Sequence, residues 1–196
     1  MKIISWNILG LDNPHRHDIL RNMIRDNRLD ILVIQETKIL KEKVENLSIF
    51  KGGKIIGSDS DGASGGMAIF WSNKWIQGEL IYQGKNMMNV HFVNSKDNFN
   101  WILTNVYAPN SKWGRKALWE EISNQRKFFA KGNWLVIGDF NTPLKDSKKW
   151  GGNHTNLDKK LDLVNFIDLH LLHDIDLQGT EYTWTNRRVG KDFIQV

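Results

Sequence analysis

Residues 134–141 read WLVIGDFN and residues 31–38 read ILVIQETK. Each is an apolar run that breaks at its C-terminal end on a carboxylate, Asp139 in the first and Glu36 in the second. Trp134–Gly138 and Asp30–Gln35 have the length and the branched aliphatic content of buried strands. The middle of a buried strand has no place for a lone carboxylate, but its C-terminal end can present one to a cleft. If the two strands share one core, both carboxylates open onto the same end of it. Lys2–Asn7 and Asn100–Tyr107 read as strands that close on Asn7 and Tyr107 in comparable positions.

Outward from these strands the pattern is mixed α/β. Asn13 is a candidate cap and Pro14 a good first helical residue. Ile19, Leu20, Met23 and Ile24 then recur at helical spacing, which predicts an amphipathic helix over about residues 14–28. Strand, helix and strand in this order imply a right-handed crossover between parallel strands. The middle of the chain is β-rich: Lys54–Gly57, Met67–Trp71, Trp75–Tyr82, Met87–Val93 and Asn100–Tyr107, separated by turn residues at Gly62–Gly66, Ser72-Asn73, Gly84 and Ser95–Asn98. That spacing predicts an antiparallel meander. Helices are expected over Trp113–Ala130 and about Asn156–His170, and late strands at Tyr182–Thr185 and Phe193–Val196.

Composition excludes several classes. The 196 residues are enough for one globular domain, and apolar residues make up 40% of them. No apolar run approaches the roughly 20 residues of a membrane helix, so no membrane partner is expected. MKIISWN shows no signal-peptide pattern. Cys is absent, which rules out disulfides, thiolate metal sites and Cys nucleophiles. The net charge is +5, compatible with a polyanionic partner. Basic residues gather in Lys112–Lys131, where Lys112, Arg115, Lys116, Arg126, Lys127 and Lys131 face only Glu120 and Glu121.

Asn7, Glu36, Tyr107 and the Asp139/Asn141 pair form a chemically coherent set. One or two carboxylates with amide oxygens suit Mg²⁺, which keeps several waters and is completed by substrate phosphate. An Asp or Asn orients an attacking water, and a Tyr hydroxyl donates to a phosphoryl oxygen. Competing motifs are missing or misplaced. No Walker loop or HExxH is present. GASGG at 62–66 fits G-x-S-x-G as a string, but it lies between β-like segments rather than opening a helix. Ser64 is therefore read as part of a glycine loop.

In order, the motifs are ISWN (4–7), IQETK (34–38), NVYAPN (105–110) and IGDFN (137–141). Together they resemble the endonuclease/exonuclease/phosphatase superfamily. MKIISWNILGL at the start, GTEYTWTNRR at 179–188 and the basic helix after YAPN are most similar to endonuclease domains of plant LINE-type non-LTR retrotransposons. The resemblance spans essentially the whole chain, 1–196, as one domain. It implies a four-layer α/β sandwich, with two packed mixed β-sheets flanked by helices, and Mg²⁺-dependent hydrolysis of DNA phosphodiesters, with Mn²⁺ as a substitute. Glu36 would ligate the metal with Asn7 in its shell. Tyr107 would contact the scissile phosphate, Asp139 would orient or deprotonate water, and Asn141 would stabilise the pentavalent species. Asn110 and Thr183 match backbone-contacting positions. Lys112, Arg115, Arg187 and Arg188, with Trp113 and Trp184, would grip DNA.

Two departures follow. Leu9 stands two positions after Asn7, where apurinic/apyrimidinic enzymes usually carry an acidic or amide residue. This favours the retroelement branch. No Ser-Asp-His string occurs, and the late Asp before it is missing too. The expectation is a domain incomplete at its C-terminus, lacking the last strands. A nicking endonuclease domain, a catalytically inactive nucleic-acid-binding remnant and a phosphomonoesterase of the same fold are the readings that remain. The resemblance also implies nuclear action and a reverse transcriptase downstream in the parent polypeptide.

Overall fold

The computed structural model describes residues 1–62, 64–129, 132–144, 150–151, 157–175, 182–186, 188 and 194–195, apart from the side chains of 157–159. The chain divides into two compact units. One comprises Met1–Ala108 and Gln125–Asp139, the other Pro109–Asn124 and Phe140–Val196.

The first unit carries the strands and two of the helices. In chain order these are β1 (Ile3–Asn7), α1 (Pro14–Asn27), β2 (Ile31–Gln35), a short α2 (Lys41–Glu45), β3 (Gly53–Gly57), β4 (Ser60–Asp61), β5 (Ser64–Gly65), β6 (Met67–Ser72), β7 (Ile76–Gln83), β8 (Met87–Asn94) and β9 (Asn100–Tyr107). Helix α3 (Lys112–Arg126) begins in the second unit and ends in the first, where a 3-10 turn and β10 (Asn133–Asp139) follow. Helix α4 (Leu157–Leu169) belongs to the second unit.

Two four-stranded sheets result, ordered β1-β2-β6-β3 and β10-β9-β8-β7, beside the small β4–β5 hairpin. Both are mixed in the same way. β1 runs parallel to β2 and β10 parallel to β9, and every other neighbour is antiparallel. The expected meander is therefore corrected. Only β7, β8 and β9 form one, while β3 and β6 leave it to pair in the first sheet. The reason lies in β6, MAIFWS, which is central in its sheet and buried on both faces. Such a run lacks the alternation that would tell one sheet from the other.

The inner faces of the sheets make one core. Ile31, Val33, Met67, Ile69 and Trp71 meet Met88, Val90, Phe92, Trp101 and Leu103. The outer face of the first sheet makes another, where Leu32, Ile34, Ala68 and Phe70 cluster with Leu20 of α1. Helix α1 starts as its sequence predicts: the Asn13 side chain accepts from the His15 N–H at 2.9 Å, and Pro14 follows. It ends at Arg28, which turns left-handed at φ 52°. In the second unit Trp119 of α3 stacks on Phe166 of α4 with ring centres 4.9 Å apart. The expected late strands appear, among the described residues, as single bridges from Gln195 to Trp150 and Thr185. Phe193 and Val196 lie outside the described residues.

Gly138 precedes the β10 carboxylate at φ 145°, and a Cβ there would run into the Val106 backbone of β9. A side chain would push β10 away from β9 on the rung before Asp139 and Tyr107. Gly138→Ala is expected to cost about 3 kcal/mol or more. Urea unfolding will show it as a lower midpoint with an unchanged slope. A loss below about 0.5 kcal/mol contradicts the close approach.

Candidate active site

Four strand ends converge in the first unit. Asn7 closes β1 on the rung it shares with Gln35, and Asp139 closes β10 on the rung it shares with Tyr107. Glu36 follows β2 directly. The Asn7 Nδ2 donates to Glu36 Oε1 at 2.9 Å and to Asp139 Oδ2 at 2.8 Å. One amide nitrogen thus joins the first sheet to the second. Tyr107 Oη donates to Glu36 Oε1 at 2.8 Å, and Lys38 Nζ lies 3.0 Å from Glu36 Oε2.

The turn carrying Glu36 is unusual. Glu36 and Lys38 both adopt left-handed backbone, at φ 55° and 56°. Each such residue costs roughly 1–2 kcal/mol without compensation. Here the backbone is held on both sides. Thr37 N and Lys38 N donate to the carbonyls of Gly66 and Gly65 at 3.1 Å, and Gly10 N and Leu11 N donate to those of Glu36 and Thr37 at 2.7 Å. A Cβ on Gly66, at φ 77°, would collide with Thr37 Oγ1. The glycine loop therefore clamps the Glu36 turn. Ser64 is exposed, and its Oγ donates to the Asp61 carbonyl at 3.2 Å, not to a base.

The electrostatics follow from these contacts. Burial alone would raise the Glu36 carboxyl. The hydrogen bonds from Asn7, Tyr107 and Lys38 and the Lys38 charge outweigh it and hold the group below the usual carboxylate range. Tyr107 moves the other way. Burial, its bond to Glu36 and the charges of Glu36 and Asp139 push the phenol well above its ordinary value. At neutral pH the site therefore presents an ionised Glu36 and a protonated Tyr107.

This donor set fits a hard divalent cation. It offers carboxylate oxygens from Glu36 and Asp139 and an amide oxygen from Asn7. Among the described residues no three His, Cys, Asp or Glu side chains form a metal-binding group. A cation held here would have few protein ligands and would need water and substrate oxygens, which is the habit of Mg²⁺. The Lys38 ammonium against Glu36 shows that this side of the carboxylate favours positive charge.

The structure brings together Asn7, Glu36, Tyr107 and Asp139. The other sequence candidates belong to the second unit. Asn141 is half-buried and left-handed at φ 50°. Asn110, Lys112, Thr183 and Arg188 are exposed, Trp113 and Trp184 are well exposed, and Arg187 lies outside the described residues. Arg115 corrects its expectation. It is fully buried, and its Nη1 donates to the carbonyls of Pro109 at 3.1 Å and Asn110 at 2.6 Å. It holds the YAPN loop from inside and has no surface to offer a phosphate. Helical spacing carries the signal, because Arg115, Leu118, Trp119 and Ile122 share the buried face of α3. Sequence reasoning does not single out Lys38 as a site residue, although it stands in the same ETK triplet as Glu36.

Comparison with known proteins places these residues in context. The model of the endonuclease/exonuclease/phosphatase family matches residues 4–192. An exodeoxyribonuclease of Bacillus subtilis (strain 168) is 26% identical over 226 residues, covering 97% of this chain and 82% of its own. The solved endonuclease domain of TRAS1, a telomere-specific non-LTR retrotransposon, superposes with a TM-score of 0.72 at 16% identity, covering 98% of this chain and 82% of that one. The 3′ phosphatase NExo from Neisseria, solved with a product DNA hairpin, gives 0.68 at 20% identity, covering 100% and 86%. At these identities the structures show a shared fold.

Glu36 gives a pH signature. Its native pKa is depressed below the ordinary 4.5, so its charge stabilises the fold fully above that unfolded value. That contribution is lost as the pH falls through the native value. Glu36→Gln should therefore be least stable relative to the parent near neutrality. The gap should shrink below about pH 4 in urea unfolding. A gap that stays constant with pH contradicts the assigned contacts.

Proposed function

The chain belongs to the endonuclease/exonuclease/phosphatase family, and on that premise we propose that it hydrolyses DNA phosphodiesters with Mg²⁺, as the nicking endonuclease domain of a LINE-type retroelement. The observation that carries the reading is the Asn7 amide shared by Glu36 and Asp139 at the ends of two sheets, with Tyr107 on the same Glu36 oxygen.

Glu36 and Asn7 would hold the cation, which when bound polarises a phosphoryl oxygen and offsets developing negative charge; Mn²⁺ has the same oxygen preference. Asp139 orients the attacking water and accepts its proton. Tyr107, kept protonated by its surroundings, donates to a phosphate oxygen. Lys38 compensates the Glu36 charge before substrate arrives. Asn141 is assigned to the pentavalent phosphorus, and Asn110, Lys112, Thr183, Arg187 and Arg188 to DNA backbone phosphates. Trp113 and Trp184, both well exposed, are assigned to groove edges.

The retroelement branch rests on the opening MKIISWNILGL, on GTEYTWTNRR, and on Leu9 two positions after Asn7. The TRAS1 domain has the same fold. This reading places the protein in the nucleus, joined to a reverse transcriptase. A second reading, phosphomonoester hydrolysis, draws on the likeness to a 3′ phosphatase.

The test is nicking of supercoiled plasmid with Mg²⁺. Nicking is expected to stop with a chelator and to fall about 10²- to 10⁴-fold in Asp139→Ala. DNA affinity is expected to weaken steeply from low to physiological salt. A chain that releases phosphate from 3′ ends but never nicks is a phosphomonoesterase. A chain that grips DNA without the cation and ignores Asp139→Ala only binds.

A further inference from the structure

Beneath the site lies a layer of buried polar side chains that the hydrolytic chemistry does not use. The inward-facing residues of β2 are Ile31, Val33 and Gln35, and those of β9 are Trp101, Leu103, Asn105 and Tyr107. Both series are apolar until they reach Gln35 and Asn105, which are 1% and 0% exposed. Gln35 Nε2 donates to Asn105 Oδ1 at 2.7 Å, across the gap between the sheets. Asn105 Nδ2 donates back to the Ile34 carbonyl at 3.1 Å. Ser5 Oγ on β1 accepts from Gln35 Nε2 at 3.0 Å.

Sequence spacing ties this layer to the site. Ser5 stands two residues before Asn7 on β1, and Asn105 two before Tyr107 on β9, so each lies two rungs below a site residue on the same face. Gln35 immediately precedes Glu36. A pair of aliphatic side chains could fill this space with only the half-buried Ser5 hydroxyl left to satisfy, so packing alone does not account for two amides. Apolar contact is non-directional and lets packed sheets slide, whereas a hydrogen bond weakens steeply with distance and angle. We infer that the Gln35–Asn105 amide pair is a positioning device that fixes the offset between the two sheets, and with it the reach of Asn7 and Tyr107 to Glu36 and Asp139. The inference rests on the hydrolytic reading of the site for its purpose, but on the buried bonds for its geometry.

A double-mutant cycle on the full chain separates positioning from stability. Gln35→Met takes the donor from Asn105 Oδ1 and the partner from Ser5 Oγ, and Asn105→Leu takes one acceptor from Gln35 Nε2, so each should lower the melting temperature and slow cleavage. The double variant removes both polar groups and should regain much of the melting temperature. Its kcat on plasmid DNA with Mg²⁺ should stay about 10- to 100-fold down, with KM within about twofold of the parent. The Asn7 side-chain amide signals in ¹⁵N NMR, which report the two carboxylate bonds directly, should remain shifted from their parent positions. Asn105→Ser, which is shorter and cannot span the gap, should give the same NMR shift without introducing an apolar group. If kcat and the Asn7 signals return with stability in the double variant, the pair is structural only and the inference falls. If the parent chain shows no hydrolysis, the functional reading fails, and the Asn7 signals still decide the positioning role.

Discussion

A single side-chain amide holds the two halves of the candidate site in register. Asn7 Nδ2 gives both of its hydrogens to carboxylates, Glu36 from one sheet and Asp139 from the other. Two carboxylates facing one small space repel each other unless something positive or donating lies between them. Asn7 supplies the donors, Tyr107 adds a third, and Lys38 supplies the charge. The result is an ionised Glu36 beside a phenol that keeps its proton. That combination suits a cation and a phosphate in turn, because one needs oxygen ligands and the other needs donors.

The backbone around this cluster is held by other backbone and by arginine. The residues after β1, β2 and β9 are loops, and loops position side chains poorly unless their own groups are bonded. Each is tied down differently. Arg16 Nη1 donates to the carbonyls of Ile8 and Leu9 at 2.9 and 2.6 Å. The Glu36 turn lies between the carbonyls of Gly65 and Gly66 and the amides of Gly10 and Leu11. The buried Arg115 gathers the carbonyls of Pro109 and Asn110. Ala108 N donates to the Asp139 carbonyl at 2.8 Å, so the YAPN loop, as it leaves β9, is tied to the end of β10. The four backbone bonds to the Glu36 turn offset the strain of the left-handed Glu36 and Lys38.

Much of this is legible in the chain. The strands that end on Asn7, Glu36, Tyr107 and Asp139 are readable because a buried strand stays apolar until it reaches the edge of the core, and a polar residue marks that edge. Helix α1 is readable from Asn13, Pro14 and its apolar stripe. The sheet membership of β3 and β6 is not, because a strand buried on both faces carries no alternation to assign it. Arg115 misleads because a basic residue beside Lys116 looks solvated, although its helical spacing places it inward. The short α2 leaves no trace, since five residues offer no periodicity.

The sequence by itself determined the residue types of the site, their order and the strand ends that carry them. Local hydrophobic patterning decides where a strand stops, and that stop is also where a carboxylate can survive. The tertiary structure alone decided which of these ends meet. Asn7 and Asp139 are 132 residues apart and touch only because two sheets pack face to face. It also decided that glycines 65 and 66 clamp the Glu36 turn, and that Gln35 and Asn105 bond across the gap. Each of these depends on the relative placement of distant elements, which packing sets and local sequence does not encode.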